Sequence, residues 1–214
     1  MRPEPEVFDG VRAGHIRLSS TLDSLDDDTV RAPSLLPRWT VGHVLTHLAR
    51  NAEGQERALL GALRGEVVAR YPGGSTQRDA DIEQGSGRPV DVLVADVRVT
   101  SARLETTWDD MTDLAWDGHT TFEGLERVDS LPFARWREVE VHHADLGLGY
   151  TSDDWPAGYV RRDMAAKTMA WRARMPMGLT ELPAATLALS PANRLAWLLG
   201  RREVDGLPAV RESW

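Results

Sequence analysis

Residues 39–54 read WTVGHVLTHLARNAEG, and this stretch decides the fold because its apolar side chains recur with the period of an amphipathic helix. Thr40 is a good N-cap, so we predict a helix that starts there and runs to about Arg64. On a helical wheel, His47 lies about 120° from the centre of the apolar face and His43 about 160°. His47 is therefore at the margin of the core, whereas His43 is predicted to face solvent.

Residues 137–147 read REVEVHHADLG and lie in another predicted helix, residues 132–146. Glu138 and His142 are four residues apart, and Asp145 follows three residues later. The three side chains therefore form one polar stripe about 60° wide on an otherwise largely apolar helix. The stripe is either the solvent face of the helix or a ligand-binding face.

The remaining patterns extend this picture in both directions along the chain. Further helices are predicted at about 6–25 and 89–111, with a short helical piece at 78–83 and a loop-rich stretch at 112–130. Four long helices joined by loops of mixed length are typical of a four-helix bundle.

The pattern changes after the second stretch. A helix is predicted at 157–174, a strand at 184–189 and a short helix at 191–199. We therefore predict a mainly α protein: a DinB-like four-helix bundle in residues 1–152 and a small α+β domain in residues 153–214. The DinB-like assignment rests on the resemblance described below.

Composition excludes several classes of function. The chain has 214 residues and a net charge of −8, and its first 155 residues carry 16 Arg against 28 acidic residues, which argues against nucleic-acid binding. No stretch approaches the length of a membrane span, and residues 1–6 lack the apolar core of a secretion signal, so we expect a cytoplasmic protein without a membrane partner. Cysteine is absent, which excludes disulfides, thiolate ligands and a cysteine nucleophile.

Any metal site must therefore be built from His, Asp and Glu. His47, Glu138 and His142 together supply two imidazoles and one carboxylate from two bundle helices, a set that suits a three-ligand catalytic zinc site with an open fourth position. The same ligand types also serve iron and manganese, so the sequence leaves the metal open. We expect Asp145 to support His47 rather than the histidine of its own helix.

Three separated stretches, in order, resemble signatures of the mycothiol-dependent maleylpyruvate isomerase family, a branch of the DinB-like metal-binding bundles. They are residues 39–54, the loop YPGG at 71–74 leading into RDADIE at 78–83, and residues 137–147. The resemblance covers roughly residues 8–150, and residues 191–201 are similar to the family's closing helix.

The resemblance implies that His47, Glu138 and His142 hold a divalent metal, for which we expect zinc. Glu138 stands where many DinB-like proteins have His, which is typical of the isomerase branch. The family uses the thiol mycothiol to convert maleylpyruvate into fumarylpyruvate. In that reaction a metal-bound thiolate adds to the double bond, the resulting single bond rotates, and the thiol is expelled.

The substrate implied by the resemblance is a small dicarboxylate, which arginine binds well. Arg78, beside the glycine-rich loop, and Arg201, at the end of the last helix, are the candidates. Two alternatives stay open: a mycothiol S-transferase that retains the thiol adduct, and a non-catalytic, metal-stabilised binding module. The expected partners are a small thiol and a small anionic substrate, in a monomer or homodimer.

Overall fold

The computed structural model describes residues 1–121, 127–174 and 180–210, and regular structure within them is helical. The α-helices are α1 (Pro5–Leu22), α2 (Asp27–Arg31), α3 (Val41–Leu63), α4 (Gly74–Ser86), α5 (Val90–Asp110), α6 (Asp113–Trp116), α7 (Leu131–Asp145), α8 (Ala157–Arg172) and α9 (Pro191–Leu198). The mainly α fold is therefore confirmed. Among these helices, none combines the length and apolar composition that crossing a bilayer requires.

Helices α1, α3, α5 and α7 form the predicted four-helix bundle. Helix α3 packs against α5 and α7, and α1 packs against the same two helices, so the four close into a ring. Burial of each large aliphatic side chain contributes about 2 kcal/mol before the entropy of ordering the chain is subtracted. Much of the bundle core consists of Leu18, Leu22, Val41, Val44, Leu45, Leu48, Leu93, Val97, Val139 and Leu146.

Glycine allows α1 to approach α7 closely. A Cβ atom added to Gly10 would lie 2.3 Å from the ring of Trp136, and one added to Gly14 would lie 3.1 Å from Oε1 of Glu140. Both glycines lie one turn apart on the face of α1 that contacts α7. This contact helps to fix the position of α7, which carries part of the candidate site.

Two helices differ from the sequence-based expectation. Helix α2 lies between two predicted helices, where none is predicted, and Asp26 caps it by accepting a hydrogen bond from the Thr29 amide at 2.7 Å. Helix α4 spans Gly74–Ser86, longer than the predicted 78–83, because Gly74 takes a positive φ of 70° and turns the loop directly into a helix. Of the predicted loop at 112–130, residues 122–126 lie outside the described ranges.

The chain divides into two compact units, Met1–Gly149 and Tyr150–Trp214. In the second unit α8 packs against α9, and the rings of Trp171 and Trp197 lie 4.8 Å apart between their centroids. The indole nitrogens of both residues donate to backbone carbonyls, those of Glu181 and Pro208. This unit therefore has a small aromatic core of its own.

The strand predicted at 184–189 is wrong. Residues Ala184–Ala188 form a 3-10 helix, and the part of the second unit that the structure describes contains no strand, so its α+β character is not observed. The reason is local hydrogen bonding: the amide and hydroxyl of Thr186 both donate to the carbonyl of Pro183, at 2.9 and 2.7 Å. These bonds satisfy the backbone without a partner strand.

Candidate metal centre

The N-terminal cap of α3 fixes the position of His47 along the axis of that helix. Thr40 caps the helix with a reciprocal pair of bonds: its hydroxyl accepts from the amide of His43, and the Nδ1 atom of His43 accepts from the Thr40 amide at 3.2 Å. His47 follows one turn later and is almost completely buried. Its ring lies 5.6 Å from that of Trp39.

His43 is less exposed than its wheel position predicts. Besides its capping role, its Nε2 atom lies 3.2 Å from the carboxylate of Glu83 on α4, and Trp39 stacks on its ring. These neighbours leave its side chain only 14% exposed. A helical wheel describes α3 alone, whereas Trp39 and Glu83, the residues that cover His43, lie outside that helix.

Helix α7 supplies the two other candidate ligands. Glu138 and His142 lie one turn apart, as predicted, and the stripe that they share faces α3 rather than solvent. His142 is fully buried and Glu138 is 16% exposed. Of the two interpretations of this stripe, the ligand-binding face therefore fits the packing and the solvent face does not.

The three side chains converge. Oε2 of Glu138 lies 2.9 Å from Nε2 of His47 and 3.3 Å from Nε2 of His142. One ligand atom from each of the three residues lies within 4.8 Å of the others, and the two imidazole rings are 4.6 Å apart between centroids. Two imidazole nitrogens and one carboxylate oxygen at this spacing can hold a divalent cation.

The electrostatics of the group differ strongly between its members. Burial and the repulsion of His142 lower the pKa of His47 to about 4. Burial opposes ionisation of Glu138, but hydrogen bonds with both imidazoles outweigh it and hold its pKa well below the ordinary value. Before a metal arrives, the site is therefore a carboxylate beside one neutral imidazole and one imidazole that carries a proton.

That protonated imidazole is His142. Burial alone would lower its pKa, but the carboxylates of Asp145 and Glu138 outweigh burial and raise it to about 9. A cation that binds must displace this proton, so metal binding is coupled to proton release.

Asp145 contacts His142, not His47 as expected from the sequence. Its Oδ2 atom lies 2.8 Å from Nδ1 of His142. The expectation was wrong because a carboxylate three residues further along a helix can reach back to the ring one turn before it. The contact leaves Nε2 of His142 directed at Glu138, an arrangement common around metal-binding histidines.

The two predicted arginines belong to different units. Arg78, on α4, donates two hydrogen bonds to its neighbour Asp79, at 2.9 and 2.8 Å. Arg201 follows α9 and donates to the backbone carbonyl of Leu199 at 3.3 Å. Their role toward a substrate stays a prediction.

The structure adds two residues that sequence analysis missed, Arg70 and Tyr71. The guanidinium of Arg70 lies 4.9 Å from the ring centroid of Tyr71, and its positive charge also disfavours protonation of His47. Burial raises the pKa of Tyr71, Glu138 adds to the rise, and Arg70 and Arg78 oppose it. A lone arginine in a loop carries no sequence signal, although Tyr71 begins the YPGG motif.

A known protein family and known structures are similar to this chain over most of its length. The family model described as "Mycothiol maleylpyruvate isomerase N-terminal domain" matches residues 11–147, a range that contains all three candidate ligands. A crystal structure of the mycothiol-dependent maleylpyruvate isomerase is similar to this chain with a TM-score of 0.84 and 25% identity, over 96% of this chain and 95% of that one. A mutant of that isomerase, with one histidine replaced by alanine, gives a TM-score of 0.81 and 25% identity over 92% of this chain and 89% of that one.

One curated relative is similar over a shorter range. "Probable inorganic carbon transporter subunit DabA" of Salinibacter ruber is 34% identical over 91 residues, which is 42% of this chain. The match spans only 10% of the length of that protein. The likeness is therefore confined to a small part of the relative.

Proposed function

The chain belongs to the mycothiol maleylpyruvate isomerase family, and we propose that it is a metal- and mycothiol-dependent cis–trans isomerase of maleylpyruvate or a similar unsaturated keto acid. The observation that carries the proposal is the convergence of His47, Glu138 and His142 inside the bundle. A largely buried carboxylate that lies between two imidazole nitrogens is unfavourable unless a cation or bound protons compensate its negative charge. This arrangement favours a metal site.

The donor set fits Zn²⁺, which takes imidazole nitrogen and carboxylate oxygen in three-ligand catalytic sites and leaves a position open for an incoming group. A bound divalent ion would lower the pKa of a coordinated thiol, and a thiolate can add reversibly to a conjugated double bond and so permit rotation about it.

The side chains of the protein prepare this site in separate ways. Asp145 holds the proton on Nδ1 of His142, which directs Nε2 toward the centre as a donor. The low pKa of His47 keeps that ring neutral and available as a second nitrogen donor at neutral pH. Glu138 supplies the negative charge that favours a cation.

Positive side chains favour an anionic substrate. Arg70 and Arg78 both act on Tyr71, which in turn feels the charge of Glu138, so these two arginines bring positive charge toward the ligand group. We propose that Arg78 binds a carboxylate of the keto acid, with Arg70 adding to the positive potential, and that Arg201 in the second unit is a separate candidate for the same role.

The proposed function is tested by incubating the purified, metal-analysed protein with mycothiol and maleylpyruvate and following the products by mass spectrometry. We expect about one divalent ion per chain and conversion to fumarylpyruvate with the thiol regenerated. His47→Ala should lose both the ion and the activity. A stable thiol conjugate without isomerisation would instead identify an S-transferase, and a folded protein free of metal would refute the proposal.

His143→Gln is the matched control for this experiment. His143 is also buried and follows His142 directly, but its Nε2 atom faces the hydroxyl of Thr21 at 2.8 Å, on the side of α1. The variant should therefore keep the ion and the activity. Loss of both in this variant as well would mean that any buried histidine substitution disrupts the bundle.

A further inference from the structure

A second buried polar group lies on α7, centred on Arg135, whose side chain has no exposed surface. Its Nε atom donates to Nε2 of His15 at 3.1 Å, and Nη2 donates to the hydroxyl of Ser101 at 3.1 Å. Its Nη1 atom donates to the carbonyl of Leu48 at 2.8 Å and to Oδ1 of Asn51 at 3.0 Å. The guanidinium therefore joins α7 to each of the other three bundle helices.

These four acceptors are neutral, so none of them pairs directly with the positive charge of Arg135, and the carboxylates of Glu138 and Glu105 act on it only from further away. Burial lowers the pKa of His15 to about 4, which leaves that ring uncharged at neutral pH. Burial also lowers the pKa of Arg135, to about 10, against the attraction of Glu138, so the guanidinium stays protonated. A fully buried cation without a paired anion is costly, and its presence calls for a reason.

The position of Arg135 supplies that reason. On α7 it lies one turn before Glu138, on the same face of the helix. On α3 its acceptor Leu48 directly follows His47, and its acceptor Asn51 lies one turn further. Arg135 therefore bridges the two ligand-bearing helices beside two of the three candidate ligands.

We propose that Arg135 is a positioning residue that fixes α3 against α7 at the candidate metal centre and keeps a permanent positive charge there, which weakens the affinity of the site for a divalent cation. The inference rests on the proposed function, because it presumes that the centre binds a metal. The charge acts through the bundle interior, where screening is weaker than in water. A less tightly held ion keeps more of its attraction for an anionic incoming ligand.

Asn51 offers a test that leaves Arg135 in place. Asn51→Asp puts a carboxylate of almost the same shape against the guanidinium and neutralises its charge. Asn51→Ala removes the same hydrogen bond without adding a charge. Zn²⁺ affinity is measured for the wild type and both variants by competition with a chromogenic chelator, and folding is checked by circular dichroism.

We expect Asn51→Asp to bind Zn²⁺ about tenfold or more tightly than the wild type, and Asn51→Ala to bind it no more tightly than the wild type. The introduced carboxylate also attracts the ion directly, so, where Arg135→Met folds, the gain is assigned to Arg135 only if that variant, which adds no anion, shows a gain as well. The inference is overturned if Asn51→Asp binds Zn²⁺ no more tightly than Asn51→Ala.

Arg135→Met provides an independent check, since it removes the charge itself. Where this variant folds, it should also bind Zn²⁺ more tightly than the wild type, and weaker binding would contradict the electrostatic role. Where it does not fold, the Asn51 pair alone decides, and a gain of less than about tenfold in Asn51→Asp over Asn51→Ala overturns the electrostatic role. A wild type that binds no Zn²⁺ refutes the proposed function and this inference with it, whereas Zn²⁺ binding that Asn51→Asp does not strengthen refutes only the inference.

Discussion

Two buried polar groups lie in neighbouring turns of α7, and they differ in the charged side chains around which they are built. The metal-centre group consists of His47, Glu138, His142 and Asp145. The guanidinium group consists of Arg135, His15, Asn51, Ser101 and Glu105. The first is built from carboxylates and imidazoles, whereas the second is built around a guanidinium cation.

The pKa values of a buried histidine in each group differ accordingly. His142 lies between two carboxylates, which overcome the effect of burial and raise its pKa to about 9. Burial lowers the pKa of His15 to about 4, and the neighbouring Arg135 opposes the help that Glu105 gives to the charged form. Burial alone therefore does not decide the charge of a histidine, because the balance of fixed charges around it does.

The comparison also explains which group can take a ligand. In the guanidinium group Arg135 already donates four hydrogen bonds to acceptors on three helices, and its positive charge would repel another cation. In the metal-centre group two imidazole nitrogens point at a common Oε2 atom of Glu138, and no guanidinium is among the residues of this group. A divalent ion therefore fits the metal-centre group and would be repelled by the guanidinium group.

The largest effect is expected for Glu138→Gln, which removes the only carboxylate ligand. The affinity for Zn²⁺ should fall by more than about 100-fold, beyond what the loss of a residue that merely supports a ligand causes, and isomerisation should fall with it. Chelator competition and turnover measurements check this. The variant should also lower the pKa of His142, which loses one of its two acidic partners.

Glu140→Gln is the control for that experiment. Glu140 lies two residues further along α7 and is fully buried, but it faces Arg17 and the indole nitrogen of Trp136, the latter at 2.9 Å. The variant should lose stability without losing Zn²⁺ affinity. Equal loss of affinity in both variants would mean that Zn²⁺ binding depends on any buried carboxylate of α7 and not on the one that faces His47.

The next effect concerns the stability of the guanidinium group in acid. The pKa of His15 is about 4 in the folded protein and 6.5 ordinarily, so its stabilising contribution is complete above about pH 6.5 and is lost as the pH falls toward 4. Between about pH 6.5 and pH 4, His15 binds a proton in the unfolded chain but not in the folded one. The free energy of unfolding should therefore drop by up to about 3 kcal/mol as the pH falls.

Urea unfolding of the wild type and of His15→Gln at pH 7 and pH 4.5 measures this contribution. The wild type should lose more stability than the variant over that interval, because other titrating groups are common to both proteins. An equal loss in the two proteins would show that His15 does not control the acid sensitivity.

The bundle, and the shared face of Glu138 and His142, could be predicted because helical periodicity carries that information, whereas it left His47 at the margin of the core. The spacing of Glu138 and His142 places them on one face, and the cap at Thr40 sets the start of α3. The direction of Asp145 could not be predicted in this way, because it depends on the side-chain conformation within one turn. The covering of His43 depends on α4, which the sequence predicted too short.

Arg135 shows a different limit. At 100° per residue it lies about 20° beyond His142 on the wheel, just outside the polar stripe of Glu138, His142 and Asp145. Arginine is seldom fully buried, and the residue type therefore argued for solvent exposure. Only the acceptors contributed by α1, α3 and α5 make its burial possible, and no local pattern records them.

Asp145→Asn should have a smaller effect on the metal-centre group than loss of Glu138. Asparagine can still accept the hydrogen bond from Nδ1 of His142, but it removes the negative charge that makes the ring a better donor. We expect the affinity for Zn²⁺ to fall by about 10-fold, the lower end of the range for such supporting residues. As a control, Asp96→Asn weakens the ion pairs that the partly buried Asp96 makes with Arg50 and Arg88. This variant should leave Zn²⁺ affinity unchanged.

The smallest effect is expected for Ser101→Ala in the guanidinium group. The variant removes the acceptor of one N–H of Arg135, and a buried charged donor without an acceptor would be costly. Ser101, however, lines a surface cavity of about 230 Å³ together with His15 and Glu105, so water can replace the hydroxyl. The free energy of unfolding should therefore fall by only about 1 kcal/mol, and Zn²⁺ affinity should not change. Urea unfolding and chelator competition test both statements, and a shift in Zn²⁺ affinity would mean that this end of the guanidinium also controls the position of the metal ligands.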